Sequence, residues 1–388
     1  MSAQKVILHV GAPKTGTTYI EKIIWRNQRR LLRQDGIWMP GRSKWDHDAL
    51  MGDVRGGMWR TPSNPWTWHR FVDEVRQREE TALVSKEMFA GATRDQIRAA
   101  LSPLAECEVH VVVTCRALSG ALPSAWQQNL KANHKLPFTD FLTEIETGAR
   151  HGFWRHHDPV NILGRWGEEV PPERLHVVTM PASKGDPTLL WKRFASVLQV
   201  DPERYLTPDS AANESLGAAQ AELLRRVSIE LDDEFVLREP WRLNVQQPFI
   251  QPVLLQVGER TKFGIPARYH DWVREQSARL IEGLRALECD FVGDLADLEP
   301  RLDPAAMAPD EVDETSINQV AVAAIAELLR LRARQTREDA EPAEVAGPAA
   351  APPADQPPAR WREVRRSVVR RSRHAASAIR RAAGSTAR

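Results

Sequence analysis

Ten residues near the start of the chain, His9-Val10-Gly11-Ala12-Pro13-Lys14-Thr15-Gly16-Thr17-Thr18, concentrate groups that hold a phosphate. Glycines at 11 and 16 let the backbone curl until its N–H groups face an anion, and a helix opening after Gly16 adds its positive end. The interval between the glycines is that of a P-loop, but the Walker pattern sets a lysine directly after the second glycine. Thr17 stands there, and the loop's lysine, Lys14, comes two residues before Gly16. Such a loop is ill-suited to a triphosphate. It suits a single phosphate carrying a reactive group, with Lys14 set to neutralise charge at the bridging oxygen. A P-loop small-molecule kinase is therefore the second reading.

The segment Pro13-Lys14-Thr15-Gly16-Thr17-Thr18 after a short strand resembles the 5′-phosphosulfate loop of the sulfotransferases that use 3′-phosphoadenosine-5′-phosphosulfate (PAPS). The resemblance spans roughly the first 230 residues and is nearest to bacterial, actinomycete-like members; Ile162-Leu163-Gly164-Arg165-Trp166 and Asn213-Glu214-Ser215-Leu216-Gly217 share it. That family places an arginine at the end of a central strand and a serine eight residues later, against the 3′-phosphate. Val111-Val112-Val113-Thr114-Cys115-Arg116 followed by Ser124 meets that interval. An arginine offers phosphate a two-pronged fork, and a hydroxyl on the next helix adds a donor. Many relatives carry a proline two residues after the arginine, whereas here Leu118 stands there and Pro123 comes later.

The resemblance implies sulfonate transfer from PAPS to a hydroxyl or amine, leaving 3′,5′-adenosine bisphosphate (PAP), without a metal. Lys14 then stabilises the leaving group, and Lys14, Thr15, Gly16, Thr17, Thr18, Arg116 and Ser124 hold the donor. The base is assigned to Glu87, which follows Leu83-Val84-Ser85-Lys86 at the carboxyl end of a strand, where ligands of parallel sheets sit. A surface carboxylate paired with Lys86 or an arginine is the plainer account of Glu87, and Ser85 is a further candidate donor to the bridging oxygen. His9 reads as a buried, satisfied histidine. His134 follows the Ser124 helix, and His151, His156 and His157 flank Trp154 in a loop read as bordering the acceptor site, with no regular metal spacing. A catalytically silent PAP-binding protein is the third reading.

These groups need a sheet to set them. Lys5–Val10, Thr81–Ser85, Glu108–Thr114 and Leu175–Thr179 read as short buried strands. Helices are expected over 17–32, 93–104, 118–132, 189–198, 213–231, 268–287 and 317–333. Trp38 to Trp68, with five tryptophans and no period, reads as a long irregular segment over the active face, its aromatics stacking on an acceptor or packing the core. The alternation predicts a three-layer, doubly wound α/β sheet, mostly parallel and P-loop-like, with helical C-terminal additions.

Composition fits a globular body: 42% of the 388 residues are hydrophobic and 27% charged. Three cysteines, Cys107, Cys115 and Cys289, match no zinc pattern and read as buried reduced thiols. With no secretory or membrane-length apolar run, a cytoplasmic protein is expected. The net charge of +1 hides an asymmetry: residues 360–388 hold ten arginines against Glu363, a tail of +9 on a body of −8. The expected division is a sulfotransferase domain over 1–300, a helical extension over 301–335, a Pro/Ala-rich disordered linker over 336–359 and a basic amphipathic tail over 360–388. The tail reads as a contact for the inner face of an anionic membrane, with no specific nucleic acid as partner. The acceptor stays open between a small metabolite, a glycan and a glycolipid.

Overall fold

A computed structural model describes residues 4–57, 64–182, 185–208, 215–231, 235 and 238–340. The 360–388 tail, nearly all of the 336–359 linker, Trp59, Asn213 and Glu214 lie outside the described residues. The chain divides into two compact units, residues 1–330 and 331–388.

Six strands make one parallel sheet: β1 (Lys5–Gly11), β2 (Ile37–Trp38), β3 (Thr81–Ser85), β4 (Glu108–Cys115), β5 (Leu175–Thr179) and β6 (Asp290–Val292), in the order β2-β3-β1-β4-β5-β6. Between β1 and β3 run α1 (Thr17–Arg26), α2 (Gln28–Asp35), α3 (Lys44–Val54) and α4 (Trp68–Arg76). Between β3 and β5 run α5 (Arg94–Leu101), α6 (Leu118–Lys131), α7 (Phe138–Glu146), α8 (Phe153–His157) and α9 (Pro159–Trp166). After β5 come α10 (Leu189–Leu198), α11 (Ala218–Glu230), α12 (Arg238–Trp241), α13 (His270–Arg285) and α14 (Glu314–Ala340).

The central strands are largely apolar and buried because both faces are covered. Successive side chains alternate faces. Val6, Leu8, Val10, Val84, Val111 and Val113 thus join one core with Phe71, Phe89 and Trp166, while Ile7, Leu83, Val112 and Val178 join a second with Ile20, Ile23, Trp191 and Phe194. Removing a fully buried ring such as Phe71 or Trp191 would cost about 3–5 kcal/mol. This is the doubly wound arrangement that the alternation of elements predicts.

Three expectations need correction. The helix expected over 17–32 breaks at Asn27, whose side-chain amide donates to the Ile23 carbonyl at 2.8 Å and to the Leu206 carbonyl at 2.9 Å. Asparagine offers the backbone an alternative to the helical ladder, and here it takes it. The Trp38–Trp68 stretch is not uniformly irregular. It contains β2 and α3, the latter opened by a capping box between Ser43 and Asp46. Trp38, Trp66 and Trp68 are buried in the core, and Trp45 is exposed. Of the cysteines, all unbonded, Cys115 is buried but Cys107 and Cys289 are partly exposed.

Candidate functional site

The carboxyl ends of the three central strands meet at one point, the crevice where open α/β sheets bind ligands. β1 delivers the 11–18 loop, β3 delivers Lys86 and Glu87, and β4 delivers Arg116. The Lys86 amide donates to the His9 carbonyl at 2.9 Å, and the Ala12 amide to the Thr114 carbonyl at 3.0 Å, so the loop is stitched to both neighbours.

Both loop glycines are required by shape. Gly11 has φ 128°, and a Cβ there would lie 2.7 Å from the Glu87 carbonyl oxygen. Gly16 has φ 93°, and its Cβ would meet Leu190 at 2.3 Å. Positive φ is open to glycine at little cost. Lys14 also adopts it, at 66°. Gly16 leads into α1 with no side-chain cap, so the helix's first N–H groups are left for a ligand.

Lys14 and Glu87 line one open cleft of about 1210 Å³, with Trp45, Asp48, Asn64, Gln128, Arg150, His151, His156 and His157. Lys14 Nζ donates to Gln128 Oε1 at 3.3 Å. Burial pulls its ammonium below the usual lysine range and Arg116 adds to this, while Glu87 opposes it. Glu87 Oε2 accepts from the Thr17 hydroxyl at 2.5 Å. The plainer pairing of Glu87 with Lys86 does not occur. Lys86 sits in a buried group instead, with Nζ 3.1 Å from Glu21 Oε1 and 3.2 Å from Asp48 Oδ1. Burial opposes its charge, but the two carboxylates outweigh burial and raise its pKa. Glu21 is itself raised, by burial against the pull of Lys86.

On the other side of the loop lies a second cavity of about 500 Å³, lined by Gly16, Tyr19, Arg116, Gly120, Met180 and Leu190 among others. Arg116 donates to the Lys14 carbonyl at 3.3 Å and has no carboxylate partner among the described residues. Burial alone lowers its pKa. Its guanidinium lies over Gly120, where a Cβ would be 2.6 Å from Nε and 2.7 Å from Nη2. Ser124 is four residues further along α6, on the same helical face. α6 begins directly at Leu118 and carries Pro123 inside it, which settles where the helix starts without the relatives' proline.

Several hydroxyls point elsewhere than the sequence suggests. Thr15 is buried, donating to the Ala12 carbonyl at 2.5 Å beside the Thr114 hydroxyl, so its side chain holds the loop from within. Thr17 orients Glu87. Ser85 is buried, engaged with His9 Nδ1 at 2.8 Å, and lines neither cavity. Thr18 is exposed at the head of α1. His9 is buried and satisfied as expected, its pKa pushed to about 3 by burial and Lys86. His156 and His157 line the larger cleft, on the short helix α8 rather than in a loop. His134, three residues past the end of α6, is not among the cleft-lining residues.

Sequence reasoning missed Gln128, Gly120 and the role of Arg165. The Arg165 guanidinium donates to the carbonyls of Ala90 and Arg155, each at 2.6 Å, and to that of Ala92. It thereby ties the turn carrying Glu87 to α8. Gly120, four residues after Arg116, was the available signal: an arginine lying on a helix needs a small residue one turn on.

No family model matches the chain. A stretch of 80 residues is 40% identical to part of ATPase expression protein 2, mitochondrial, of Eremothecium gossypii, covering 20% of this chain and 14% of that protein. The chain thus spans about one-seventh of that relative's length. The crystal structure of a sulfotransferase from Alicyclobacillus acidocaldarius aligns over 62% of this chain and 100% of its own, at 17% identity and a TM-score of 0.33. At that level the match assigns neither fold nor chemistry. Among the described residues, no helix is long and apolar enough to cross a membrane, and no group of three or more His, Cys, Asp or Glu is placed to hold a metal.

Proposed function

We propose that this chain is a sulfotransferase that moves a sulfonate group from PAPS to a hydroxyl or amine of a small-molecule or glycan acceptor. The observation that carries the reading is the pair of cavities on either side of one phosphate-type loop, with Lys14 facing one and Arg116 the other. A donor with a phosphate at each end needs two separate cationic anchors joined by a loop of backbone donors. A half-buried guanidinium without a carboxylate partner among the described residues is suited to an anionic ligand.

In this reading Arg116 binds the 3′-phosphate, with Ser124 beside it, and the head of α1 binds the 5′-phosphate. Lys14 Nζ donates to the oxygen that bridges phosphorus and sulfur as that bond breaks. Glu87, steadied through Oε2 by Thr17, takes the acceptor proton on its other oxygen. Residues 360–388 would deliver the enzyme to an anionic membrane surface from the cytoplasmic side.

Calorimetry with PAP tests the donor site. Lys14→Ala and Arg116→Ala are each expected to weaken PAP about 10- to 100-fold, the loss of charged hydrogen bonds worth roughly 1.5–3 kcal/mol. Unchanged affinity in both variants overturns the assignment.

A further inference from the structure

Sites for small molecules are lined mainly by apolar side chains, with a few polar groups to fix orientation. The larger cleft departs from this: twelve of its twenty lining residues carry a charged, amide or imidazole side chain, which suits a ligand rich in hydrogen-bonding groups. One large apolar surface stands among them. Trp38, Trp66 and Trp68 of the same tryptophan-rich stretch are buried, whereas Trp45 is 63% exposed and borders the cleft. An exposed indole on a cleft wall is a stacking platform rather than core packing. Lys44 Nζ lies 4.9 Å from its ring centre, and Asn64 donates to its carbonyl at 3.2 Å, so the platform is held at its base.

Trp45 and Asp48 are three residues apart on α3 and so share a face of the helix. Asp48 Oδ1 is 3.2 Å from Lys86 Nζ, which sets the carboxylate beside the turn that carries Glu87. Asp48 Oδ2 has no hydrogen-bond partner among the described residues, and the residue lines the cleft. Gln128 and Asn129 add side-chain amides from α6. We infer that the acceptor is a sugar ring, stacked through its C–H face on Trp45, with one hydroxyl on Glu87 and a neighbouring hydroxyl on Asp48. A phenol offers the flat face but a single hydroxyl, and an open-chain polyol offers the hydroxyls but no face. The inference rests on the sulfotransferase reading for the role of Glu87 and names the acceptor class of that same site.

Saturation-transfer NMR on the full chain with PAP tests it. The probes are the methyl glycosides of glucose, galactose, mannose and N-acetylglucosamine, with phenol as the aromatic rival. At least one glycoside is expected to take up saturation at its ring C–H protons. Trp45→Ala should abolish that signal, and Trp45→Phe, which keeps a ring, should retain it. Asp48→Asn is expected to weaken the same glycoside about tenfold, the loss of one hydrogen bond to a charged group. A panel in which no glycoside takes up signal, signal that survives Trp45→Ala, or uptake by phenol alone overturns the inference. Calorimetry with PAP keeps the two readings apart. A chain that binds no PAP refutes the donor assignment, whereas one that binds PAP and ignores all four glycosides refutes the sugar acceptor alone.

Discussion

The two cavities beside the 11–18 loop differ in size and in what lines them. The larger cleft, at Lys14 and Glu87, is open and bordered by side chains from α3, α6 and α8. The smaller, at Gly16 and Arg116, is framed by the head of α1, the start of α6, the segment after β5 and a later stretch with Asp297, Glu299 and Arg301. The small one is built mainly from the turns and helix starts that follow β1, β4 and β5 and suits a ligand of fixed shape. The large one is built from peripheral helices, which can vary without disturbing the sheet. A conserved donor and a variable acceptor would divide in this way.

Substitutions on each side should therefore have separable effects. The largest is expected from Glu87→Gln, which removes the proposed base while keeping an acceptor for the Thr17 hydroxyl. Turnover with PAPS and a competent acceptor should fall about 10²- to 10⁴-fold, with PAP affinity by calorimetry unchanged. Near-normal turnover would move the base to His156 or His157. Gly120→Val should do the reverse at smaller scale. Its side chain displaces the Arg116 guanidinium, and PAP affinity should drop roughly tenfold while turnover at saturating donor holds. A drop in turnover there would show the two sides to be coupled, through the bond from Arg116 to the Lys14 carbonyl.

The smallest effect is on stability. His9 and His47 are fully buried beside the Lys86 wall, and burial holds both near a pKa of about 3. The unfolded chain titrates them near 6.5, so it binds more protons between those values. Stability is complete above pH 6.5 and is lost as pH falls toward 3, by about 1.4 kcal/mol per group for each unit. Urea denaturation midpoints measured from pH 7 to pH 4.5 should fall accordingly, and His47→Gln should flatten the slope. A flat profile in the wild-type chain would show that neither group resists protonation.

Much of the frame was legible in the sequence because β1, β4 and β5 are short valine-rich segments with few polar residues, and their ends mark where a ligand sits. Glu87 was placed by that rule, Lys14 by the loop pattern and Arg116 by the family resemblance, and the structure sets all three around the 11–18 loop. β2 and β6, with two and three residues, are too short to show a period. The break at Asn27 depends on a carbonyl about 180 residues away, which local pattern cannot reveal. The directions of hydroxyls were equally hidden. Whether Thr15, Thr17 or Ser85 faces a ligand depends on where Thr114, Glu87 and His9 arrive, and each comes from a different strand or turn.

Arg165 joins both walls of the larger cleft through a single side chain. The turn bearing Glu87 and the helix bearing His156 and His157 therefore cannot loosen independently. Losing this one guanidinium strands three carbonyls at once, so access to the cleft would widen by both walls parting together, as one cooperative opening.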